Sequence, residues 1–157
     1  MPGSKELVAD FLSKAGIPVE VREFSGSTKN SALAAQELGC GVEQIAKSIV
    51  FKGSRTFVVV LSGDRKVDAA KLENLVKGPV KAATPDEVRE NTGFPVGGVP
   101  PFPHRDGVEV IPDLSLARFA DVWAAAGTPN AVFRVRTEDL FRMLGREPAE
   151  LSVPQQI

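Results

Sequence analysis

The sequence has one cysteine, one histidine and no tyrosine among 157 residues. Each scarcity closes off a chemistry. A lone Cys40 cannot close an internal disulfide, and it fits a reducing compartment. Metal centres need His, Cys or carboxylate ligands clustered at short spacing. Neither Cys40 nor His104 has such a neighbour, so no metal and no cofactor are expected. A Ser-His-Asp or Cys-His system would have to recruit His104. That residue lies in Pro103-His104-Arg105-Asp106-Gly107, a polar turn that predicts a solvated histidine. Cys40, between Gly39 and Gly41, reads as a small buried filler. The nine phenylalanines fall mostly at core-periodic positions, so no aromatic platform for stacking bases is expected.

Long apolar runs are missing as well. The longest, Phe57–Leu61 and Val122–Ala126, are five residues each, far short of the ~20 that a membrane helix needs. The N-terminal stretch carries Glu6 and Asp10 on an amphipathic pattern and does not read as a secretory leader, so a cytoplasmic protein is expected. Charge of one sign is missing too. Nineteen Lys and Arg against 20 Asp and Glu leave a net charge of −1, and the overall field announces no nucleic-acid partner. Locally, Lys47, Lys52, Arg55, Arg65, Lys66 and Lys71 are set against only Asp64 and Asp68, a patch able to hold phosphates or to form a solvated face.

What is present is a regular alternation of short elements. Ser4 is placed to cap a helix with Leu7, Val8, Phe11, Leu12 and Ala15 on one face, stopped by Gly16. Ile17, Val19 and Val21 alternate with polar residues as a strand. A helix is predicted over Ser31–Leu38, ending at Gly39. Ser48–Phe51 and Thr56–Leu61 flank the turn Lys52-Gly53-Ser54-Arg55 and predict an antiparallel hairpin. Asp68 starts a helix that stops at Gly78-Pro79. Thr84-Pro85-Asp86-Glu87 is a capping box with proline at the first helical position. Val108–Ile111, Val122–Ala126 and Val132–Val135 read as strands, and Thr137 is placed to cap a last helix closed by Gly145. The mixture predicts an α+β fold in a single domain over residues 1–157.

One stretch fits neither helix nor strand. Gly93 to Phe102, GFPVGGVPPF, holds three glycines and three prolines in ten positions. Backbone this bare and this rigid makes either a tight connection or a preformed wall of amides that a ligand approaches closely. No P-loop or dinucleotide fingerprint accompanies it. Backbone N–H groups can bind an anion or an oxyanion without any titrating side chain, and Lys47 stands where an apolar strand begins.

Three ordered blocks, Ala46-Lys47-Ser48-Ile49-Val50-Phe51, Gly63-Asp64-Arg65-Lys66-Val67-Asp68 and Thr92 through Phe102, resemble the YbaK / prolyl-tRNA synthetase-associated (ProX-like) editing family. The resemblance runs from about Thr28 to Leu151. It implies a compact α+β domain with a mixed, barrel-like sheet surrounded by helices. It also implies a trans-editing deacylase that hydrolyses the ester of a mischarged tRNA by positioned water, with no covalent nucleophile. Catalytic roles fall on Lys47 and Gly97, and substrate contacts on Ser48, Gly98, Val99, Pro101, Gly127 and Asn130. Contacts to tRNA fall on Lys52, Arg65 and Lys66 of the basic stretch. The partner implied is mischarged tRNA, with an aminoacyl-tRNA synthetase left open as a second. A binding module of the same fold, without catalysis, is the alternative.

The segment Ala125-Ala126-Gly127-Thr128-Pro129-Asn130 departs from two branches of that family. The cysteinyl-tRNA(Pro) deacylase branch has a serine where Ala125 stands, then basic residues after the glycine. The synthetase insertion domain places a histidine close by. The residues therefore leave the edited amino acid open among small ones: Ala, Ser, Thr or Cys.

Overall fold

A computed structural model of the chain describes residues 4–18, 20–24 and 30–155. In chain order the helices and strands are α1 (Ser4–Lys14), β1 (Val21–Glu23), α2 (Ser31–Leu38), β2 (Ile45–Lys52), β3 (Thr56–Ser62), β4 (Arg65–Val67) and α3 (Ala69–Val76). They continue with β5 (Lys81–Ala82), α4 (Pro85–Thr92), β6 (Val108–Pro112), β7 (Asp121–Ala125), β8 (Ala131–Arg136), α5 (Thr137–Leu144) and β9 (Ser152–Pro154). The α+β class and the mixed sheet are as expected. Among the described residues no helix is long and apolar enough to cross a membrane.

The main sheet runs β1-β8-β7-β2-β3-β6, with β5 also on β2. It is an open path ending at β1 and β6 and not a closed barrel. The β2–β3 hairpin is antiparallel over seven pairs, from Ala46 opposite Ser62 to Lys52 opposite Thr56. β6 joins β3 in parallel. β7 joins β2 in parallel at two positions only, Ile45 with Trp123 and Ala46 with Ala124. A small second sheet pairs β4 with β9.

Every residue of β3 is buried, which a strand covered on both faces requires. On one face Ala46, Val50, Val58 and Val60 pack with Val8 and Leu12 of α1, Leu140 of α5 and Val99 and Phe102 of the glycine-proline loop. On the other face two separate covers lie side by side. α2 brings Ala34 and Ala35 onto Ile45, Trp123 and Val132. α3 brings Leu72 onto Phe51, Phe57, Val59 and Leu61. Along β2, Lys47 and Ile49 fall between these covers, so alternation puts them on a strip of sheet that neither helix closes.

Local chemistry explains most helix boundaries. Thr84 and Glu87 form the reciprocal capping box of α4, with Pro85 at its start and Gly93 in the left-handed region (φ 82°) at its end. The hydrogen bond from the Thr84 N–H, joined by Lys52, holds the Glu87 carboxyl down to about 2. Three expectations need correction. The strand foreseen from Ile17 begins at Val21; the Ile17 N–H closes back on the Leu12 carbonyl (3.1 Å) and Pro18 follows, so this stretch finishes α1. Val19 and the Ser4 side chain lie outside the described residues. Thr137 is the first residue of α5 and not its cap: Arg136 holds the cap position, and the Thr137 hydroxyl is buried without a hydrogen-bond partner. At the end of α3 the left-handed residue is Lys77 (φ 61°), one position before the glycine expected to stop it.

Candidate active site

The strip between α2 and α3 opens into a cleft of about 620 Å³. Ser31, Ala32 and Ala34 of α2 form one wall, Ile45 to Ile49 of β2 form the floor, and Val96, Gly97 and Val99 of the glycine-proline loop close the far side. Asp64 and Gln155 stand at the end. The lining is mostly apolar, with Lys47 the one cation among the described lining residues.

Lys47 is half-buried, and its ammonium donates to the Gln155 side-chain carbonyl (3.0 Å) and, more weakly, to the Gly63 carbonyl (3.4 Å). Burial pushes its pKa down, opposed by the field of Asp64. No carboxylate lies within ion-pair distance of it among the described residues. The nearby Asp64 is held by Arg118, whose guanidinium donates to both carboxylate oxygens (2.8 and 3.3 Å) and keeps the Asp64 carboxyl below the usual range. The cation therefore rests on two neutral oxygens, a state that an incoming anion would improve.

Gln155 reached this position without a signal in the sequence. β9 pairs antiparallel with β4, and the Gln155 N–H donates to the Asp64 carbonyl (3.0 Å). Buried Asp113 anchors the same segment, accepting from the Leu151 N–H (2.8 Å) and the Ser152 hydroxyl (2.7 Å). Asp64 lies in the stretch Gly63 to Asp68, and nothing local in sequence indicates that Arg118 engages it.

The predicted site residues divide into two groups. Lys47, Ser48, Gly97 and Val99 line the cleft together. Ser48 has a buried hydroxyl with no hydrogen-bond partner. Val99 is only 3% exposed, so most of its side chain belongs to the core. Gly97 has φ +83°, with only the Pro129 side chain (3.7 Å) near where a Cβ would stand. Gly98, Pro101, Gly127 and Asn130 are absent from the lining. A Cβ on Gly98 would meet the Thr128 backbone at 2.9 Å, so this glycine lets the loop press against the β7–β8 turn. The close approach expected there from a ligand is made by the protein itself, and Gly127 and Asn130 belong to that supporting turn.

His104 is half-buried and not the solvated residue that its polar sequence neighbourhood predicts. Its Nε2 lies 2.7 Å from the Pro100 carbonyl and its ring meets Phe94 edge-on at 5.7 Å. Nδ1 is buried without a partner, and burial pushes the imidazole pKa down. It props the loop from behind. Cys40 is half-buried and packs beside the α2 cluster, as a filler would.

The basic stretch is less available than its composition suggested. Lys52 pairs with Glu87 (3.0 Å), Arg55 with Glu109 (3.3 Å) and Lys71 with Glu150 (3.3 Å). Arg65 donates to the Ser152 hydroxyl and carbonyl (both 3.0 Å). Lys66 is exposed. Lys52 lies five residues along β2 from Lys47, about 17 Å away at strand spacing.

Fold and cleft together define an α+β domain that offers a ligand one cation, an apolar recess and a wall of main chain. The sequence profile of the aminoacyl-tRNA editing domain matches residues 26–143, and the chain belongs to that family. It is 34% identical to the protein YwhH of Bacillus subtilis (strain 168) over 77% of this chain and 78% of that one. A crystal structure of a candidate trans-editing enzyme for prolyl tRNA synthetase superposes with a TM-score of 0.89 at 39% identity, covering 98% of this chain and 99% of that one. The proline--tRNA ligase of Fervidobacterium nodosum is 29% identical over 72% of this chain, which spans only 19% of that protein's length.

Proposed function

We propose that this chain is a trans-editing aminoacyl-tRNA deacylase that removes a small amino acid, of the Ala, Ser, Thr or Cys class, from mischarged tRNA. The observation that carries this reading is the half-buried Lys47 cation, without a carboxylate partner among the described residues, at the mouth of an apolar cleft. An aminoacylated tRNA end brings a phosphate for that cation and a compact side chain for the recess. The family and the likeness to a candidate trans-editing enzyme support it.

The chemistry needs little from the side chains. Water adds to the ester carbonyl carbon, the bond from that carbon to the ribose oxygen breaks, and the ribose oxygen takes up the proton that water gives. The products are free amino acid and uncharged tRNA. An aminoacyl ester is already activated, so the domain's work is to orient the ester and stabilise the developing oxyanion with fixed N–H donors. Gly97 sits where its main chain borders that space, and Lys47 holds the phosphate and raises the local positive potential. Lys66 and Arg65 are the further phosphate contacts that this reading favours; Lys52 would first have to leave Glu87.

A deacylation screen against a panel of mischarged tRNAs tests the proposal. Rapid release of one or two small amino acids is expected, with bulky ones spared. Tight tRNA binding with no release from any member would leave the non-catalytic binding module instead.

A further inference from the structure

The outer edge of β2 is paired twice, with a gap between. β7 pairs at Ile45 and Ala46. β5 pairs at Phe51 and Lys52, and the Ala83 N–H donates to the Val50 carbonyl (3.0 Å). Between them Lys47, Ser48 and Ile49 have, among the described residues, no strand beside them on that edge, and all three line the cleft.

Alternation decides which main-chain groups face the gap. The Ile45 carbonyl accepts from Gly63 on the β3 side (2.8 Å), whereas the Val50 carbonyl accepts from Ala83 on the outer side. Within an antiparallel pairing, successive residues turn their N–H and C=O to opposite edges. Ser48 therefore turns both groups outward, into the cleft, and its hydroxyl beside them is buried and unpartnered.

An amino acid esterified through its carboxyl carries an ammonium and a carbonyl on either side of one Cα. A residue of a neighbouring strand offers that same donor and acceptor, and two residues in an antiparallel hydrogen-bonded pair exchange both bonds. We propose that the aminoacyl group seats on Ser48 as a strand one residue long. The Ser48 N–H donates to the ester carbonyl oxygen, and the Ser48 carbonyl accepts from the α-ammonium. This rests on the deacylase reading and adds a substrate contact that acts through main chain.

The seat has a handedness. Directly paired residues put their side chains on the same face of a sheet. Ser48 shares its face with Ala46 and Val50, where Val99 packs. An L side chain on the seated group then points toward Val99. A D side chain points to the opposite face, toward Lys47 and Ile49, where the phosphate-holding ammonium stands.

Two measurements test the seat. In the first, one tRNA carries L-alanyl, D-alanyl or propionyl ester, and each enzymatic rate is divided by the uncatalysed rate of the same ester. Propionyl, which lacks the ammonium, should lose on the order of a hundredfold, as sites built to hydrogen-bond a missing group do. D-alanyl should be slower than L-alanyl. Equal normalised rates for all three would overturn the seat. In the second, 15N-labelled protein is titrated with alanine joined by an amide to 3′-amino-3′-deoxyadenosine. The Ser48 amide should shift and become protected from hydrogen exchange. An unmoved Ser48 amide, whether or not Gly97 shifts, sinks the seat. If that accompanies rapid hydrolysis of L-alanyl-tRNA, the deacylase reading survives alone. If Ser48 responds to the analogue but no ester is hydrolysed, the deacylase reading falls and the seat stands.

Discussion

Lys47 gains nothing for the fold from its charge. Its ammonium is partly desolvated and, among the described residues, bonded only to neutral oxygens. Lys47→Ala should therefore leave stability within about 0.5 kcal/mol of wild type, as for most substitutions away from buried networks. Single-turnover deacylation should fall on the order of a hundredfold, the scale of losing one fixed electrostatic contact to the transition state. An unchanged rate would remove Lys47 from the site. His104 makes a prediction of the opposite kind, on stability and not on rate. Burial lowers its pKa below the ordinary 6.5, so the folded state prefers the neutral ring. Below that ordinary value the unfolded chain binds more protons than the folded one, so stability is full above it and is lost as pH falls through the lower folded pKa. Denaturant midpoints taken downward from neutral pH should fall, and His104→Gln should flatten the fall. The same slope in both proteins would contradict the buried neutral imidazole.

Among the elements, the glycine-proline loop shows what kind of information the sequence carries. That it was neither helix nor strand followed from Gly and Pro alone, as the α4 capping box followed from Thr84 and Glu87. Such signals reside within a few residues. The division of labour inside the loop was not legible, because it depends on a neighbour far along the chain. Gly97 needs its left-handed backbone; Gly98 needs room for Thr128. Gly97→Ala should cost about 1–2 kcal/mol of backbone strain and depress the rate further, through the main chain bordering the cleft. Gly98→Ala pushes against main chain that cannot step aside, and overpacking of about 1–3 kcal/mol should displace the whole loop. Thermal melts and rates measured together check this: for Gly98→Ala the two should fall in step. Full activity in a destabilised Gly98→Ala would show that the loop's position does not matter. The same distinction explains Lys47 itself. Its place at the start of a strand was readable, but its partner Gln155 lies 108 positions on and is delivered by β9 and Asp113. The burial of His104 escapes the sequence for a related reason: polar neighbours do not reveal that Phe94 and Pro100 pack against the ring.

At the scale of the molecule, half of the basic stretch, Lys52, Arg55 and Lys71, is committed to acidic partners, and this sets how tRNA binding should respond to salt. Each phosphate contact adds roughly 0.7–0.9 to the slope of log affinity against log salt. With Lys47, Arg65 and Lys66 engaged, a slope of about −2 to −3 is expected. Fluorescence titrations of a tRNA acceptor stem across salt concentrations would measure it. A flat response would exclude the patch, and one as steep as about −4 to −5 would mean that Lys52, Arg55 and Lys71 exchange their carboxylates for phosphates. The fork at β2, where β7 and β5 share one edge, also bears on self-association. An unpaired strand edge is a template for other chains, yet this one is only three residues long and lies recessed between two helical covers. A foreign strand gains little from so short a rung, so this edge displays main chain without offering a long template. Lengthening the gap should remove that protection. Ala83→Pro deletes the N–H that ties β5 to Val50 and should bare the edge through Phe51. Light scattering at rising protein concentration should then show more assembly than wild type, and a folded Ala83→Pro that scatters no more than wild type would show that the length of this gap does not matter.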